Sequence, residues 1–541
     1  MPVLRFPVDT RRCQLLGLAG SAALASGGTA AGALPVRDVP APHSGAAVLG
    51  LAAAYFGLVL LVAAWALLGR TARGPAPPSL RSLLLTLALW AGPLLLAPPL
   101  FSRDVYSYVA QGAMVDAGID VYAHGPSRLG GPLTAEVAPV WRHTPTPYGP
   151  VFLGCASALA EFARAGVVTG VLGMRLVALL GVALMALCLP ALARRCGADP
   201  RTAVWLGGLN PLVLLHLVGG AHNDAVMLGL LGAGLVAALG RWPAVGAALV
   251  TLAALVKAPA ALGLPAVALL RARRGSGRHP RLRAALVTGG TAAATTVAAT
   301  ALAGTGYGWT SALDTPVSPG NWSLTSTLGR LTGAALRSES SGLAELAVPA
   351  WHLTGLAATA VAVLVFWKRH HLRRPVYAVG LSLGAVAVLG PAIRPWYVLW
   401  GVFLIAATAP RGAVRPRRAA ALLSGVLALV VMPSGFAPDH NQLLIAVGGS
   451  TLGVLALWCA YRVAARAADR APLPEALPPE ALPPEAARPE ALPPAVPRPE
   501  ERPPTASCPK GTPPAAPRPQ DPPPAPESPA RDPHRPLGST A

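Results

Sequence analysis

Residues 46–69 read AAVLGLAAAYFGLVLLVAAWALLG and are followed at once by Arg70. No Asp, Glu, Lys, Arg or His interrupts the run. An α-helix rises about 1.5 Å per residue, so roughly 20 apolar residues cross a hydrocarbon core about 30 Å thick. This stretch is long enough. Similar runs recur at 14–33, 82–100, 171–193, 202–218, 223–240, 243–256, 258–271, 284–304, 347–367, 376–392, 396–410, 418–434 and 441–461. Hydropathy therefore predicts about fourteen crossings. The 541 residues are 53% hydrophobic and only 12% charged, a combination that a soluble domain does not carry. The Ala, Leu, Val and Gly content favours close-packed helices over the alternating pattern of a membrane barrel. The expected fold class is an all-α, polytopic transmembrane helical bundle.

A net charge of +21 raises the question of nucleic acid, but such binding needs a basic face on a soluble fold. Here the arginines sit between apolar runs, in loops 70–81, 194–201, 271–283, 368–374, 411–418 and 462–470, so no nucleic-acid partner is expected. Basic loops mark the cytoplasmic side, which places both termini inside and loops 101–148 and 305–346 outside. Segment 149–165 would break this alternation if it crossed, and is expected to lie as a juxtamembrane or re-entrant helix. The pieces either side of Lys257-Ala258-Pro259 are short enough to form a re-entrant pair. The six cysteines lack metal-ligand spacing and read as small hydrophobes or free thiols. Arg11 and Arg12 precede an apolar run as in a signal peptide, but a second run follows, so a retained helix is expected.

Three regions follow: N-terminal transmembrane helices over 1–81, a transmembrane catalytic domain over 82–461, and a tail over 462–541. From about residue 471 the tail is rich in Pro, Ala and Glu, with the repeat PEALP. Proline at this density forbids helix and sheet, and a disordered cytoplasmic segment is expected, either a spacer or a docking site for an unknown protein.

Polar chemistry concentrates in a few places. Ser102-Arg103-Asp104 stands where the chain leaves the third run, ahead of Tyr106 and Tyr108. A carboxylate there serves either as a general base or as half of an interfacial salt bridge backed by an aromatic belt. Trp141 and Tyr148 offer aromatic surface for a saccharide. His222-Asn223-Asp224 follows Gly219-Gly220 and reads either as a hydroxyl-binding cluster or as a helix cap. Lys257, amid Ala, Leu and Val, is costly unless it meets an anion, here a phosphate. Arg394, ahead of Trp396 and Tyr397, is the matching guanidinium for a prenyl-phosphate head group. Arg103, Tyr106, Tyr108, Tyr148, His222, Asn223, Asp224, Trp396 and Tyr397 are the expected substrate contacts. Lys257 and Arg394 are the expected contacts of the donor phosphate. No Walker loop, dinucleotide fingerprint or zinc spacing stands at a convincing position, so neither a nucleotide nor a metal is expected.

The stretches FSRDVYSYVAQG at 101–112, PYGPVF at 147–152, GGAHNDAVMLGLL at 219–231, VKAPA at 256–260 and RPWYVLW at 394–400 together resemble a known family. It is that of the polyprenol-phosphate-mannose-dependent α-1,6-mannosyltransferases of actinobacteria, MptB-like enzymes of the GT-C class. The resemblance covers 82–461 and leaves the tail out. It implies that Asp104 is the catalytic base, that the donor is polyprenyl-phosphate-mannose in the lipid bilayer, and that the acceptor is an α-1,6 mannan or lipoglycan. It also implies inversion at the anomeric carbon on the outer face. The rival from another class is a transporter or lipid-linked sugar flippase, which intramembrane Lys and Asp would serve equally well. No internal duplication of the kind many transporters show is visible in the sequence.

Overall fold

Side-chain oxygens start the first helices. Asp9 accepts from the Arg12 N–H, Ser44 from Ala47 and Ser79 from Ser82, each meeting an amide that the helix leaves unpaired. The computed structural model describes residues 9–41, 44–314, 321–338, 342–410, 412–431 and 439–470. Every regular element among them is helical. In chain order the α-helices, with short 3-10 and π turns between them, are α1 (Thr10–Ala31), α2 (Gly45–Thr71), α3 (Leu80–Leu96), α4 (Asp104–Asp116), α5 (Gly131–Glu136), α6 (Pro139–Arg142) and α7 (Pro150–Ser157). Next come α8 (Ala160–Ala165), α9 (Val167–Cys196), α10 (Pro200–Ala203), α11 (Asp224–Leu239), α12 (Pro243–Ala254), α13 (Leu264–Ala272) and α14 (Pro280–Ala303). Then follow α15 (Leu324–Ser338), α16 (Ala347–His370), α17 (Pro375–Leu389), α18 (Val398–Thr408), α19 (Val414–Leu429) and α20 (His440–Arg470). The basic stretch 462–470, assigned to the tail from sequence, continues α20. The unit Pro472–Ala541, which holds the proline-rich segment, lies outside the described residues.

Small residues let α1 and α2 touch backbone to backbone. A Cβ on Gly20 would lie 2.7 Å from the Leu61 nitrogen, and one on Gly57 2.5 Å from that of Leu24. Glycine at such positions is how helices associate in lipid, where burying apolar area gives no gain.

Among the described residues five helices are long and apolar enough to cross a membrane: Gly45–Thr71, Val167–Cys196, Pro280–Ala303, Gly342–His370 and His440–Arg466. A sixth arises if Pro200–Gly208 and Val213–Gly219, which meet at a 60° bend, count as one span. Length and composition thus support a membrane-embedded bundle, but only part of the expected fourteen crossings. The difference has a physical cause. Asn210-Pro211, the 219–223 turn and the Lys257-Ala258-Pro259 break cut the central apolar runs into shorter pieces, among them α11, α12 and α13. Such breaks are tolerated at membrane depth only inside protein, and 203–225 is buried almost throughout. At the first break the Asn210 side chain donates to Leu206 O (3.0 Å) and Ser424 Oγ (2.8 Å) and accepts from Leu212 N. Segment 149–165 forms the two short helices α7 and α8.

Arginines close several helices at one end of the bundle. Arg195 donates to Val236 O, Arg274 to Leu239 O and Gly240 O, Arg273 to His371 O, and Arg417 to Ala409 O. Each guanidinium meets carbonyls at a helix C-terminus, where the dipole favours a cation. The opposite helix ends gather the acids, amides and aromatics described next.

Candidate active site

Asp104 opens α4, and an acid in the first turn suits the positive end of the helix dipole. Its N–H donates to Ser102 Oγ at 3.1 Å. The carboxylate is largely buried, with the residue 8% exposed. Trp141 Nε1 donates to Oδ1 at 3.0 Å, which fixes the group's orientation. Oδ2 stands 3.9 Å from His222 Nδ1, too far for a hydrogen bond.

Helical spacing divides the Ser-Arg-Asp-Val-Tyr-Ser-Tyr segment between two tasks. Residues four apart share a face, so Asp104 and Tyr108 turn toward His222, and the Tyr108 hydroxyl lies 3.1 Å from His222 Nδ1. Arg103 and Tyr106, three apart, turn the other way. Arg103 pairs with Glu136 (2.8 Å) and donates to Leu34 O (2.7 Å), while the Tyr106 hydroxyl donates to Ala33 O (2.6 Å). They anchor the 33–36 segment and stand apart from the cluster around Asp104. The Arg103–Asp104 salt bridge, one of the two sequence readings, is not made, because the cation is taken by Glu136.

His222 is fully buried and stacks on Trp396 with ring centroids 3.8 Å apart. His216 covers the same indole from 4.8 Å. The amide of Asn223, His222 Nε2 and Trp396 Nε1 are buried without a hydrogen-bond partner among the described residues. Asn223 stands at the N-cap of α11 yet makes no side-chain capping bond, and Asp224 turns to other partners, so capping does not explain this cluster. A concentration of unsatisfied polar atoms within one buried aromatic group is costly, and a polar ligand would satisfy it.

Backbone strain marks the same two loops. Phe101 (φ 59°) and Ala221 (φ 54°) are the non-glycine residues with positive φ among those described. One lies three residues before Asp104 and the other just before His222. Such conformations cost on the order of 1–3 kcal/mol each and persist where the surroundings hold them.

Lys257 lies deeper. Its Nζ donates to both oxygens of Asp224, at 3.0 and 2.9 Å, and Trp400 Nε1 donates to Oδ1 of the same carboxylate at 2.6 Å. The rings of Tyr397, Trp400 and Tyr148 surround the ammonium at 4.7, 5.5 and 5.7 Å. The anion that Lys257 meets in this structure is therefore Asp224. The phosphate expected from sequence would have to compete with a bidentate partner. Arg394 lies beside Trp141, which donates to Asp104, its guanidinium 5.8 Å from the centroid of that ring. The preceding turn is held by residues of the 305–346 loop: Asn321 Oδ1 accepts from Ile393 N, and Ser323 and Ser326 donate to Pro391 O.

Sequence reasoning treated Trp141 as general aromatic surface and passed over Trp400, Glu136 and His216. Trp400 had a signal, since it follows Trp396 by one helical turn in RPWYVLW. Glu136 had none, because its partner is 33 residues away in an irregular loop.

Comparisons with known proteins identify the family. The sequence model for the N-terminal domain of the alpha-(1→6)-mannopyranosyltransferases of the MptA/MptB family matches residues 14–273, and that for the MptB C-terminal domain matches 325–461. A probable alpha-(1→6)-mannopyranosyltransferase of Mycolicibacterium smegmatis is 34% identical over 531 residues, covering 87% of this chain and 92% of the relative. An alpha-(1→6)-mannopyranosyltransferase of Mycobacterium tuberculosis is 32% identical, covering 78% and 82%. Alpha-(1→6)-mannopyranosyltransferase B of Corynebacterium glutamicum is 31% identical, covering 81% and 80%. Matches of this extent across the bundle and its aromatic cluster place the chain in the MptA/MptB family of alpha-(1→6)-mannopyranosyltransferases.

Proposed function

We propose that the protein transfers mannose from a polyprenyl-phosphate donor to a hydroxyl of an α-1,6-linked mannan or lipoglycan acceptor, with inversion, on the extracytoplasmic face of the cytoplasmic membrane. The observation that carries this reading is a carboxylate and a guanidinium flanking one indole. Trp141 holds Asp104 by its N–H and carries Arg394 against its ring. Asp104 Oδ2 takes the proton of the acceptor hydroxyl as that oxygen attacks the anomeric carbon. The mannosyl–phosphate bond breaks on the opposite face and the electron pair leaves with the polyprenyl phosphate. Arg394 stabilises the charge that develops there. The unsatisfied amide of Asn223 and the His222–Trp396 stack supply sugar contacts, while the Lys257–Asp224 pair holds the floor of the site. Donor and acceptor carry no nucleotide, and no metal is assigned to the step.

Family membership favours the enzyme over the transporter. The arginine-rich helix ends opposite Asp104 support an extracytoplasmic site through the positive-inside rule. The test is incubation of the purified protein with radiolabelled mannosyl phosphoryl polyprenol and short α-mannosides, followed by linkage analysis. A new α-1,6 mannoside is expected. Absence of transfer from this donor, with transfer from a nucleotide sugar, would reject the reading.

Arg394→Ala is expected to lower kcat/KM for the donor by roughly tenfold to a hundredfold, the worth of a charge-assisted contact. The apparent KM for the acceptor should stay near that of the unmodified protein. Steady-state kinetics with each substrate varied in turn checks this, and an unchanged donor kcat/KM would remove Arg394 from the phosphate.

A further inference from the structure

α14 packs on α7, α12 and α13, and α16 packs on α15 and α17, but α14 and α16 share no extended interface. Between them, over α13, opens a groove of about 700 Å³. Leu264 and Ala268 of α13, Gly289 of α14, and Leu364 and Trp367 of α16 line its length. The outer faces of the two flanking helices are apolar and open, with Leu286 66% and Val361 60% exposed, as helices that border hydrocarbon would be.

The groove has a chemical polarity. Arg281 in the first turn of α14, Lys368 in the last turn of α16, and His371 just beyond it stand at one end, and no acidic residue among those described lines the wall. The Thr288 hydroxyl, on a lining residue only 6% exposed, has no hydrogen-bond partner among the described residues. This cationic end belongs to the arginine-rich end of the bundle, because α13 and α16 finish and α14 begins there. The other end of α14 neighbours the site, where Ala303 lies against Gly154 of α7. The 24 residues of α14 separate the two by roughly 36 Å at about 1.5 Å per residue.

We propose that this groove binds an anionic phospholipid of the leaflet at the arginine-rich end of the bundle. The acyl chain lies along α13 between Leu264, Gly289 and Trp367, and the phosphate meets Arg281, Lys368 and His371. An apolar slot closed by cations at one end matches a molecule with a hydrocarbon tail and a negative head. A zwitterionic head gains much less from the same cations. The length of α14 that lies between makes this a site separate from the one around Asp104.

The test uses the purified full-length protein in detergent, supplied with equimolar phosphatidylglycerol and phosphatidylcholine, with bound lipid counted by native mass spectrometry. Phosphatidylglycerol is expected to be retained over phosphatidylcholine by on the order of tenfold, as the two cations Arg281 and Lys368 near a phosphate imply. Arg281→Ala with Lys368→Ala should abolish that preference. Gly289→Trp should reduce retention of both lipids while leaving the unfolding midpoint unchanged, because a Cβ at Gly289 meets nothing within 4 Å. Equal retention of the two lipids by the unmodified protein would overturn the proposal. So would unchanged retention in either variant, or displacement of phosphatidylglycerol by polyprenyl monophosphate, which would make the groove a donor site.

Discussion

Asp104→Asn is expected to lower mannosyl transfer by roughly 10²–10⁴-fold, the usual contribution of a general base, while leaving the protein folded. The substitution preserves shape. The amide oxygen of asparagine still accepts from Trp141 Nε1, and the bond from the residue-104 N–H to Ser102 Oγ does not involve the side chain at all. Only the second oxygen changes, from a proton acceptor to an NH₂ donor, and that is the oxygen with no hydrogen bond to His222. Loss of rate with an unchanged unfolding midpoint therefore isolates proton transfer. Rates are measured with purified protein, lipid-linked mannose and an α-mannoside acceptor, and the midpoint by thermal denaturation in detergent. An asparagine variant as active as the original would remove the carboxylate from the reaction, leaving orientation and charge stabilisation as the source of the rate.

The class of fold was legible because lipid imposes it. A chain with this many long apolar runs has to satisfy its backbone internally, and helices do so within each segment. The breaks inside the runs were less legible, since a hydropathy window averages over Asn210-Pro211 and reads one straight segment where the structure has a 60° bend. The site was legible as a set of motifs but not as a set of directions. FSRDVYSYVAQG announced an acid, a base and two tyrosines, yet only the helical phase of α4 separates Asp104 and Tyr108 from Arg103 and Tyr106. Pairings across the fold were the least visible. Glu136 for Arg103 and Asp224 for Lys257 depend on loops returning to one place, and no local pattern records that.

The Asp224–Lys257 pair carries the largest expected effect on stability. Asp224 is fully buried and the Lys257 side chain is 12% exposed, so removing either partner leaves a charge with little water and no counter-ion. Lys257→Met is expected to destabilise the protein by about 3–5 kcal/mol, and Asp224→Leu by a similar amount. Trp400 Nε1 would also lose its acceptor in the second case, adding about 1–3 kcal/mol for a buried unpaired donor. The double substitution should cost far less than the two singles added, because replacing a whole buried ion pair by apolar groups of similar volume is often close to neutral. Equilibrium unfolding of the four proteins in one detergent measures the coupling. This cycle also separates two roles for Lys257. A lysine that chiefly grips donor phosphate would, on removal, weaken donor use and barely move the unfolding midpoint. A lysine that neutralises Asp224 beneath the rings of Tyr148, Tyr397 and Trp400 would lower the midpoint sharply, and the loss would be recovered when Asp224 is replaced as well. The bidentate geometry and the enclosing aromatic rings favour the second result, with the phosphate left to Arg394 above Trp141.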